Sequence, residues 1–289
     1  MSALIENLAA LAPEEGYNAT AIPGIGVYKV SEPFERVPLC YSQGVIIMAQ
    51  GSKRIYFNEK VYDYNAEKYL VLTLPLPAEC EAVVEPGKPL LSLTIDFDMG
   101  MLTEMVRTFD EHHQVRPSDE TSETESLFVS QCTASLLDTV TRFSGCLRNP
   151  LARDLLAPGL LRELMFHILC GPQAGPMFAL VSHNTSLARL ERVLKHLHDN
   201  YQASLNVEQL AQMANMSMSS LHRHFRQITA SSPIQYVKKI RLTRARELLL
   251  DRGLKVKQVA AQVGYESPTQ FSREYKRYFG CSPQASGRA

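Results

Sequence analysis

The spacing of apolar residues changes along the chain and divides it into stretches of different structure. Between Gly26 and Ile95, short runs rich in β-branched and aromatic residues are separated by turn-forming residues such as Gly51. Regular short runs of this kind predict the strands of a sandwich or a small barrel, whose interior holds side chains or one small ligand. The predicted strands cover 26–30, 45–50, 54–57, 61–64, 69–74, 81–84 and 90–95.

Apolar residues at every third or fourth position surround this region and are typical of helices. The predicted helices cover 3–11, 99–109, 126–143 and 152–169. A polar loop is predicted over 116–125, and the glycines and prolines of 171–176 predict the start of an interdomain linker over 171–186. A leucine stripe over 187–201 then predicts the first helix of a second domain.

The C-terminal stretch contains one pattern twice, over about 206–228 and about 255–278. The copies are in register at an offset of 50 residues from Ser217 onward and 49 before it, so the second copy holds one extra residue. Such self-similarity marks a repeated supersecondary unit. Ser217 and Ser267 suit the start of a helix, and Gly264 suits a turn with a positive φ. Each copy therefore predicts a helix, a tight turn and a second helix.

A helix-turn-helix places the N-terminal part of its second helix in the major groove of DNA. Arginine there bonds O6 and N7 of guanine, and glutamine bonds adenine in the same bidentate way. The outward residues predicted to contact bases are Ser219, His222, Arg223, Thr269, Gln270, Ser272 and Arg273. The basic residues predicted to contact the DNA backbone are Arg226, Lys238, Lys239 and Lys276. In a second interpretation, all of these form the solvated face of a small helical bundle.

The segment between the two copies predicts a single helix over 232–250 with apolar residues on one side. At about 1.5 Å per residue this helix spans about 28 Å. That length is close to the ~34 Å between successive major-groove segments on one side of B-DNA. We therefore expect both second helices of one chain to enter adjacent turns of the same groove.

The doubled region resembles the AraC/XylS-type DNA-binding domain over 187–283. The residues that carry the resemblance are Arg241, Ala245, Leu248-Leu249, Gly264-Tyr265-Glu266-Ser267, Phe271, Arg273, Tyr275-Lys276, Phe279-Gly280 and Ser282-Pro283. The resemblance implies two helix-turn-helix units joined by a central helix, with double-stranded DNA as a partner and RNA polymerase as another. The family's base-facing positions fall on the seven base-contacting residues named above.

The N-terminal half resembles the cupin-like domain of one AraC-type subgroup. The matching residues are Ala12-Pro13, Gly16-Tyr17-Asn18, Ile22-Pro23-Gly24, Gln50-Gly51, Lys53, Tyr64, Tyr69-Leu70 and Leu76-Pro77. The resemblance implies a domain over 1–170 that binds an effector and assists dimerisation, although many members have no known ligand. The expected fold class is α+β, with an N-terminal cupin-like β-barrel flanked by helices and an all-α double helix-turn-helix domain over 187–289.

The formal net charge of zero hides a division between the two halves. Residues 184–289 contain 17 basic and 7 acidic residues, whereas residues 1–183 contain 13 and 23. A basic half is expected to meet phosphates. No run of 18 apolar residues predicts a membrane span, and the N-terminus does not read as a secretory signal. The six cysteines lack paired spacing, which indicates reduced thiols and a cytoplasmic location.

Catalysis and metal binding are not expected in the predicted barrel. Enzymatic cupins hold a metal with three histidines and a glutamate, and none of the eight histidines lies between Gly26 and Asp98. The adjacent pair His112-His113 points apart in either regular structure, and is not expected to bind a metal. An enzyme with a DNA-binding appendage would need an acid–base or metal constellation within 26–98, which the sequence lacks. We therefore predict no enzyme activity and no cofactor.

Four aromatic residues of the predicted barrel are candidates for the lining of an effector pocket. They are Tyr41, Tyr56, Tyr64 and Tyr69. Packing in the core is the alternative for each of them, and strand alternation alone does not tell which face points inward. Cys40 and Cys80 are either electrophile-sensitive thiols or buried structural residues.

The sequence therefore predicts a one-component transcription factor. It would bind DNA in a sequence-specific way and respond to a small-molecule effector in its N-terminal barrel, with a homodimer expected by analogy. The alternative is a regulator without an effector, whose N-terminal half serves only dimerisation or protein contacts.

Overall fold

A computed structural model describes residues 2–112, 125–182, 185–252 and 254–286. The chain divides into two compact units. Unit 1 consists of Met1–Arg36, Ser42–Leu74 and Cys80–Ala188, and unit 2 of Val37–Tyr41, Pro75–Glu79 and Arg189–Ala289. Two short segments from the N-terminal half of the sequence are thus counted with the C-terminal helices.

The β-structure is one sheet that curves into a half-barrel. Its described strands are β1 (Gly16–Ala19), β2 (Ile25–Val30), β3 (Phe34–Tyr41), β4 (Gly44–Gln50), β5 (Ser52–Phe57), β6 (Lys60–Asn65), β7 (Lys68–Leu72), β8 (Leu76–Val83), β9 (Leu90–Asp96) and β10 (Leu127–Gln131). Their order is β1-β2-β9-β4-β7-β6-β5-β8-β3, and β10 pairs with β7. The strands predicted between Gly26 and Ile95 are confirmed, except that β8 begins at Leu76, before the predicted start at residue 81. The sequence does not predict β1, β3 and β10.

The other regular elements of the described chain are helices. Those at the N-terminal side are α1 (Ser2–Leu11), α2 (Met99–Glu111), α3 (Ala134–Cys146), α4 (Pro150–Leu169) and α5 (Gly175–Val181). Those of unit 2 are α7 (Val207–Met213), α8 (Met218–Thr229), α9 (Pro233–Arg252), α10 (Val256–Gln262), α11 (Pro268–Phe279) and α12 (Pro283–Ser286), preceded by α6 (Ser186–Asp199). The α+β fold class is confirmed, with helices alone in the C-terminal half of the sequence.

The hairpin of β5 and β6 shows how local sequence sets the inner face of the sheet. Asn58 and Glu59 both adopt positive φ, at 49° and 63°, as a two-residue hairpin turn requires. That turn fixes the register, which pairs Phe57 with Lys60 and Lys53 with Tyr64. Because side chains alternate along a strand, Lys53 shares one buried face with Ile55 and Phe57.

The helix predicted over 126–143 is wrong in its first part. Residues Leu127–Gln131 form β10, which pairs with β7 from Leu127 opposite Leu72 onward. The helix α3 begins only after Thr133, whose side chain accepts a hydrogen bond from the Leu136 amide. The apolar residues before Thr133 satisfy both helical and strand spacing, and pairing with β7 decides in favour of the strand.

A short helix also lies where the sequence predicts a linker without regular structure. The segment 171–186 contains α5, whose Met177 and Phe178 are buried. Clustered glycines and prolines hide this element from the sequence, although Pro176 occupies a first-turn position that a helix tolerates. The segment from Cys80 to Ala188, which includes α5, belongs to unit 1.

Candidate nucleic-acid interface

Unit 2 contains two helix-turn-helix units, α7 with α8 and α10 with α11. The second helix of each begins with the same cap, because Ser217 Oγ accepts from the Ser220 amide and Ser267 Oγ from the Gln270 amide. A serine in this position satisfies one of the unpaired amides at a helix start. In α7, Asn206 does the same for the amides of residues 208 and 209. The helix starts that the sequence predicts at Ser217 and Ser267 are thus confirmed.

The turns of the two units also match. In the first, the Met216 amide donates to the Ala211 carbonyl, and in the second the Tyr265 amide donates to that of Ala260, both at 2.9 Å. The residues before these donors, at positions 215 and 264, are left-handed, with φ of 50° and 83°. The sequence repeat is therefore reproduced as a repeat of backbone conformation.

Each second helix buries one apolar stripe and leaves the opposite side to solvent. The buried residues are Leu221, Phe225 and Ile228 in α8, and Phe271 and Tyr275 in α11. Both helices end at a left-handed residue, Ala230 with φ 52° and Gly280 with φ 77°. The stripe therefore fixes which side chains remain available to a ligand.

Most of the residues predicted to contact DNA are exposed on these helices. The exposed ones are Ser219, His222, Arg223 and Arg226 on α8, and Thr269, Gln270, Arg273 and Lys276 on α11. Ser272 is half-buried, and its hydroxyl donates to the carbonyl of Pro268 at 2.9 Å. Arg223 and Arg273 occupy the same position in the two copies, so the structure gives each unit one equivalent exposed guanidinium.

The two lysines of α9 that were expected to contact the DNA backbone are engaged within unit 2. Lys238 Nζ lies 3.0 Å from Oε1 of Glu274. Lys239 Nζ donates to Oγ of Ser231 at 3.1 Å, and burial lowers the pKa of Lys239. Both side chains are half-buried, and the sequence gives no signal of that burial.

Glu274 is a functional candidate that the sequence analysis misses. Its buried side chain accepts hydrogen bonds from Lys238, Gln270 and Tyr265. Burial raises the pKa of this carboxyl, but the three hydrogen bonds and the charge of Lys238 outweigh burial and leave the pKa below its usual value. The only signal in the sequence is an acidic residue next to the apolar stripe of α11.

The central helix joins the two units as predicted. Helix α9 runs from Pro233 to Arg252, two residues past the predicted end, and at about 1.5 Å per residue spans about 30 Å. It begins after Ser232, whose hydroxyl accepts from the Gln235 amide. It packs against α8, α10 and α12. One continuous rod therefore contacts both helix-turn-helix units.

An arginine of α9 fixes the second turn. Arg241 donates to the carbonyls of Tyr201 at 2.6 Å, Ala203 at 2.8 Å and Gly264 at 3.0 Å. Any side chain at Gly264 would clash, because an added Cβ would lie 2.5 Å from the carbonyl oxygen of Gln202. The turn before α11 is thus clamped onto the loop that follows α6.

A second polar contact lies in the core beside α8. The buried Tyr236 hydroxyl donates to the carbonyl of Pro75 at 2.6 Å, so it accepts from Nε2 of His198 at 2.8 Å. The ring of Tyr236 meets Phe225 of α8 edge to face, with centroids 5.4 Å apart. Burial is the main reason that the pKa of His198 falls to about 4, and the charge of Arg244 adds to it.

The four tyrosines proposed for an effector pocket lie on four different strands, and Tyr56 faces the side of the sheet opposite to Tyr64, which is paired with Lys53. Tyr41 is counted with unit 2 and the other three with unit 1. Tyr64 and Tyr69 are buried, and the Tyr56 hydroxyl donates to Glu81 at 2.8 Å. The chemistry of the inner sheet lies instead at Lys53, which is 5% exposed, with its ammonium 4.2 Å from the ring centre of Tyr28. Strand alternation, which places this lysine in line with two apolar residues, is the signal in the sequence that could have found it.

Burial is the main reason that the pKa of the Lys53 ammonium is lowered, and the neighbouring Cys80 opposes this effect. Cys80 is buried, and burial raises the pKa of Cys40 to about 12, which disfavours a reactive thiolate. None of the six cysteines is in a disulfide.

Within the residues that the structure describes, no group of three histidine, cysteine or acidic side chains could hold a metal ion. Of the pair His112-His113, only His112 lies within them. None of the helices in the described ranges has the length and apolar character needed to cross a membrane.

Known families and proteins are similar to the two parts of the chain. Residues 21–176 match the family described as AraC-type transcriptional regulator N-terminus, and residues 210–288 match the family described as helix-turn-helix domain. The Msm operon regulatory protein of Streptococcus mutans is 32% identical over 131 residues, which are 45% of this chain and 46% of that protein. The activator RhaS of Escherichia coli is 31% identical over 99 residues, 34% of this chain and 36% of its own. This chain thus spans less than half the length of these curated relatives.

Among solved structures, the fold is similar to that of ToxT from Vibrio cholerae. One ToxT structure superposes with a TM-score of 0.64 over 91% of this chain and 97% of its own, at 12% identity. Another, described as bound to an unsaturated fatty acid, gives a TM-score of 0.57 over 95% and 97%. At such low identity the likeness establishes the fold alone.

Proposed function

We propose, since this chain belongs to the family of AraC-type transcriptional regulators, that it is a transcription factor that binds double-stranded DNA in a sequence-specific way. The observation that carries the proposal is the doubled helix-turn-helix, whose caps, turns and left-handed residues coincide in both copies. Helices α8 and α11 would enter adjacent turns of one major groove, held apart by α9. We place this activity in the cytoplasm, with RNA polymerase as a protein partner.

The exposed residues of the two second helices would divide the contacts with DNA. Ser219, His222 and Arg223 would contact bases from α8. The corresponding residues of α11 would be Thr269, Gln270, Ser272 and Arg273. Arg226 and Lys276, which are exposed further along these helices, would contact phosphates.

Lys238 and Lys239, which the sequence assigns to the DNA backbone, have a different role in this proposal. Both ammonium groups have partners inside unit 2, so we assign them to the stability of the fold. The logarithm of the DNA affinity falls linearly with the logarithm of the salt concentration, and removing one phosphate contact makes this slope less steep by about 0.9. We expect that change in Arg226→Gln and Lys276→Gln but not in Lys239→Gln. An unchanged slope in the first two variants would argue against the backbone assignment.

The experiment that tests the proposed function is selection from a pool of random DNA duplexes by the purified chain. The expected result is a site with two short preferred segments whose centres are about one helical turn apart, roughly 10–10.5 base pairs. Enrichment of a single short segment would contradict joint binding by α8 and α11. Absence of any enriched sequence would contradict sequence-specific binding itself.

For the N-terminal half we propose that unit 1 binds a small-molecule effector. The support is the family of this half, together with the buried ammonium of Lys53, which forms no ion pair with a carboxylate among the residues that the structure describes. A related fold in ToxT is described as bound to a fatty acid, which suggests an effector with an anionic group. Tyr64, opposite Lys53 in the β5–β6 pair, stays in the proposed site. Tyr41, Tyr56 and Tyr69 contribute to packing and polar contacts instead.

The alternative is that the N-terminal half serves assembly only. Helix α4 favours this role, because Leu151 and Leu155 are 69% and 71% exposed, one turn apart on the same side. Both roles can coexist, and different measurements separate them. A thermal-shift screen of the full chain against carboxylates should give a ligand that Lys53→Met no longer binds. Light scattering should give a dimer that Leu151→Glu/Leu155→Glu reduces to a monomer. No ligand together with a dimer would leave assembly as the sole role.

A further inference from the structure

One buried carboxylate lies next to the residues of α11 that would face DNA. The side chain of Glu274 is 8% exposed, and three donors surround it. Lys238 Nζ lies 3.0 Å and Gln270 Nε2 3.2 Å from Oε1, while the Tyr265 hydroxyl lies 2.9 Å from Oε2. These donors come from the central helix, from α11 and from the turn before it. The carboxylate therefore connects α11 with the central helix and with the turn before α11, next to Gln270.

The charge of Glu274 decides which way the amide of Gln270 points. An ionised carboxylate only accepts hydrogen bonds, so the amide must turn its NH2 group toward Glu274. The oxygen of that amide, and the second N–H of the same nitrogen, are left for a ligand. Gln270 itself is exposed. The oxygen and the nitrogen of a side-chain amide can often exchange places, but here the carboxylate of Glu274 requires the nitrogen on its side.

We propose that Glu274 is a positioning residue that sets Gln270 to recognise adenine, on the premise that α11 enters the major groove as proposed above. Adenine presents an acceptor at N7 and a donor at N6 in that groove. The outward oxygen of Gln270 accepts from N6, and its remaining N–H donates to N7. Guanine presents two acceptors and would require both N–H groups, one of which Glu274 holds.

Lys238 completes the arrangement. A buried carboxylate without a cation is costly, and Lys238 supplies the cation from α9. The same contact joins α11 to the helix that spaces the two units. Copy one has no counterpart, because His224 stands at the position equivalent to Glu274. The preference for adenine should accordingly be confined to the half of the site that α11 contacts.

The experiment compares the full-length wild-type chain with Glu274→Gln on the site obtained by selection. Glutamine has the same shape but can also donate, so it no longer fixes the amide of Gln270. At the position where Gln270→Ala ceases to discriminate, the affinity ratio of adenine to guanine should fall about tenfold in Glu274→Gln. Glu208→Gln removes an equal charge from an exposed position of α7 and should keep the wild-type ratio.

Two further measurements separate positioning from loss of structure. Base preference at the position contacted by Arg223 should be unchanged in Glu274→Gln. In the Gln270→Ala background, the same change should have no additional effect on the ratio. If Glu274→Gln does not fold, the double variant Lys238→Met/Glu274→Leu replaces the ion pair by apolar groups that such sites often tolerate. It should show the same loss of the ratio.

A wild-type ratio in Glu274→Gln or in the double variant would overturn the inference, as would an equal loss with and without Gln270. If Gln270→Ala changes the preference at no position, the inference also fails. The proposed function would then be judged by the arginine variants of α8 and α11 alone.

Discussion

The two helix-turn-helix units share a backbone but differ in how their interiors are held. In the second helix-turn-helix, α10 with α11, glycines occupy both left-handed positions, 264 and 280. The side chains of Arg241 and Glu274 add hydrogen bonds inside it. In the first unit, Asn215 and Ala230 take those conformations. Arg189 reaches the carbonyl of Asn215 only at 3.5 Å. A repeated sequence thus fixes the same backbone geometry twice, while the contacts that hold each copy differ.

The position of the first helix-turn-helix that is equivalent to Glu274 also has fewer hydrogen bonds. His224 of α8 makes one contact at 3.3 Å with its neighbour Arg223, and its buried Nδ1 has no hydrogen-bond partner among the described residues. The pKa of His224 is lowered, mainly by burial. We expect the first unit to be the softer one, with a helix α8 that adapts more readily to different sequences.

The largest effect that sharpens this comparison is expected from Gly264→Ala. The change forces a left-handed alanine and places its Cβ 2.5 Å from the carbonyl of Gln202, so we expect a loss of about 3 kcal/mol or more. Gly280→Ala is the matched control, since its φ is also positive but no atom lies within 4 Å. It should cost about 1 kcal/mol. Urea unfolding of both variants, with hydrogen exchange in α10 and α11, measures the difference; equal losses would show that the clamp is unimportant.

As the pH falls, the two helix-turn-helix units should lose stability at different pH values. The pKa of His198 is about 4 in the fold, below its value in the unfolded chain, so the unfolded state binds the proton first. Stability is therefore lost as pH falls from about 6.5 to about 4, by up to about 3 kcal/mol. The lowered pKa of Glu274 has the same sign, but its contribution is lost only below pH 4.5.

Hydrogen exchange at pH 7 and pH 5 measures that order. Protection of α8, which packs on Tyr236, should decrease before protection of α11. His198→Gln should flatten the decrease, whereas His196→Gln, an exposed change on the same helix, should not. Simultaneous loss in both helices would contradict the assignment to His198.

The smallest effect is expected from Ala230→Gly. Glycine removes the strain of a left-handed alanine, but it also makes the unfolded chain more flexible. The net gain should be about 0.5 kcal/mol, measured as a shift of the unfolding midpoint. A loss instead of a gain would show that the first unit is already relaxed at this position.

The repeat makes the helix-turn-helix half predictable from the amino-acid sequence, because caps, turn glycines and apolar stripes are local signals. The roles of Ser217, Ser267 and Gly264 follow from residue type and spacing, since they depend only on backbone conformation nearby. The prediction for 127–131 is wrong because its apolar spacing suits both a helix and a strand, and pairing with β7 is not local. The sequence does not reveal the burial of Lys238 and Glu274 for a related reason, whereas strand alternation could have placed Lys53 on the buried face of β5. Burial of a charged residue depends on partners that are remote in the sequence.

The central claim is that α8 and α11 read adjacent turns of one groove. It is tested most directly by binding of Arg223→Ala and Arg273→Ala to a set of single base-pair substitutions of the selected site. Each variant should lose preference at one position, by about 1–3 kcal/mol, with the two positions about 10 base pairs apart. Unchanged preference in both variants, or loss at the same position in both, would contradict the claim.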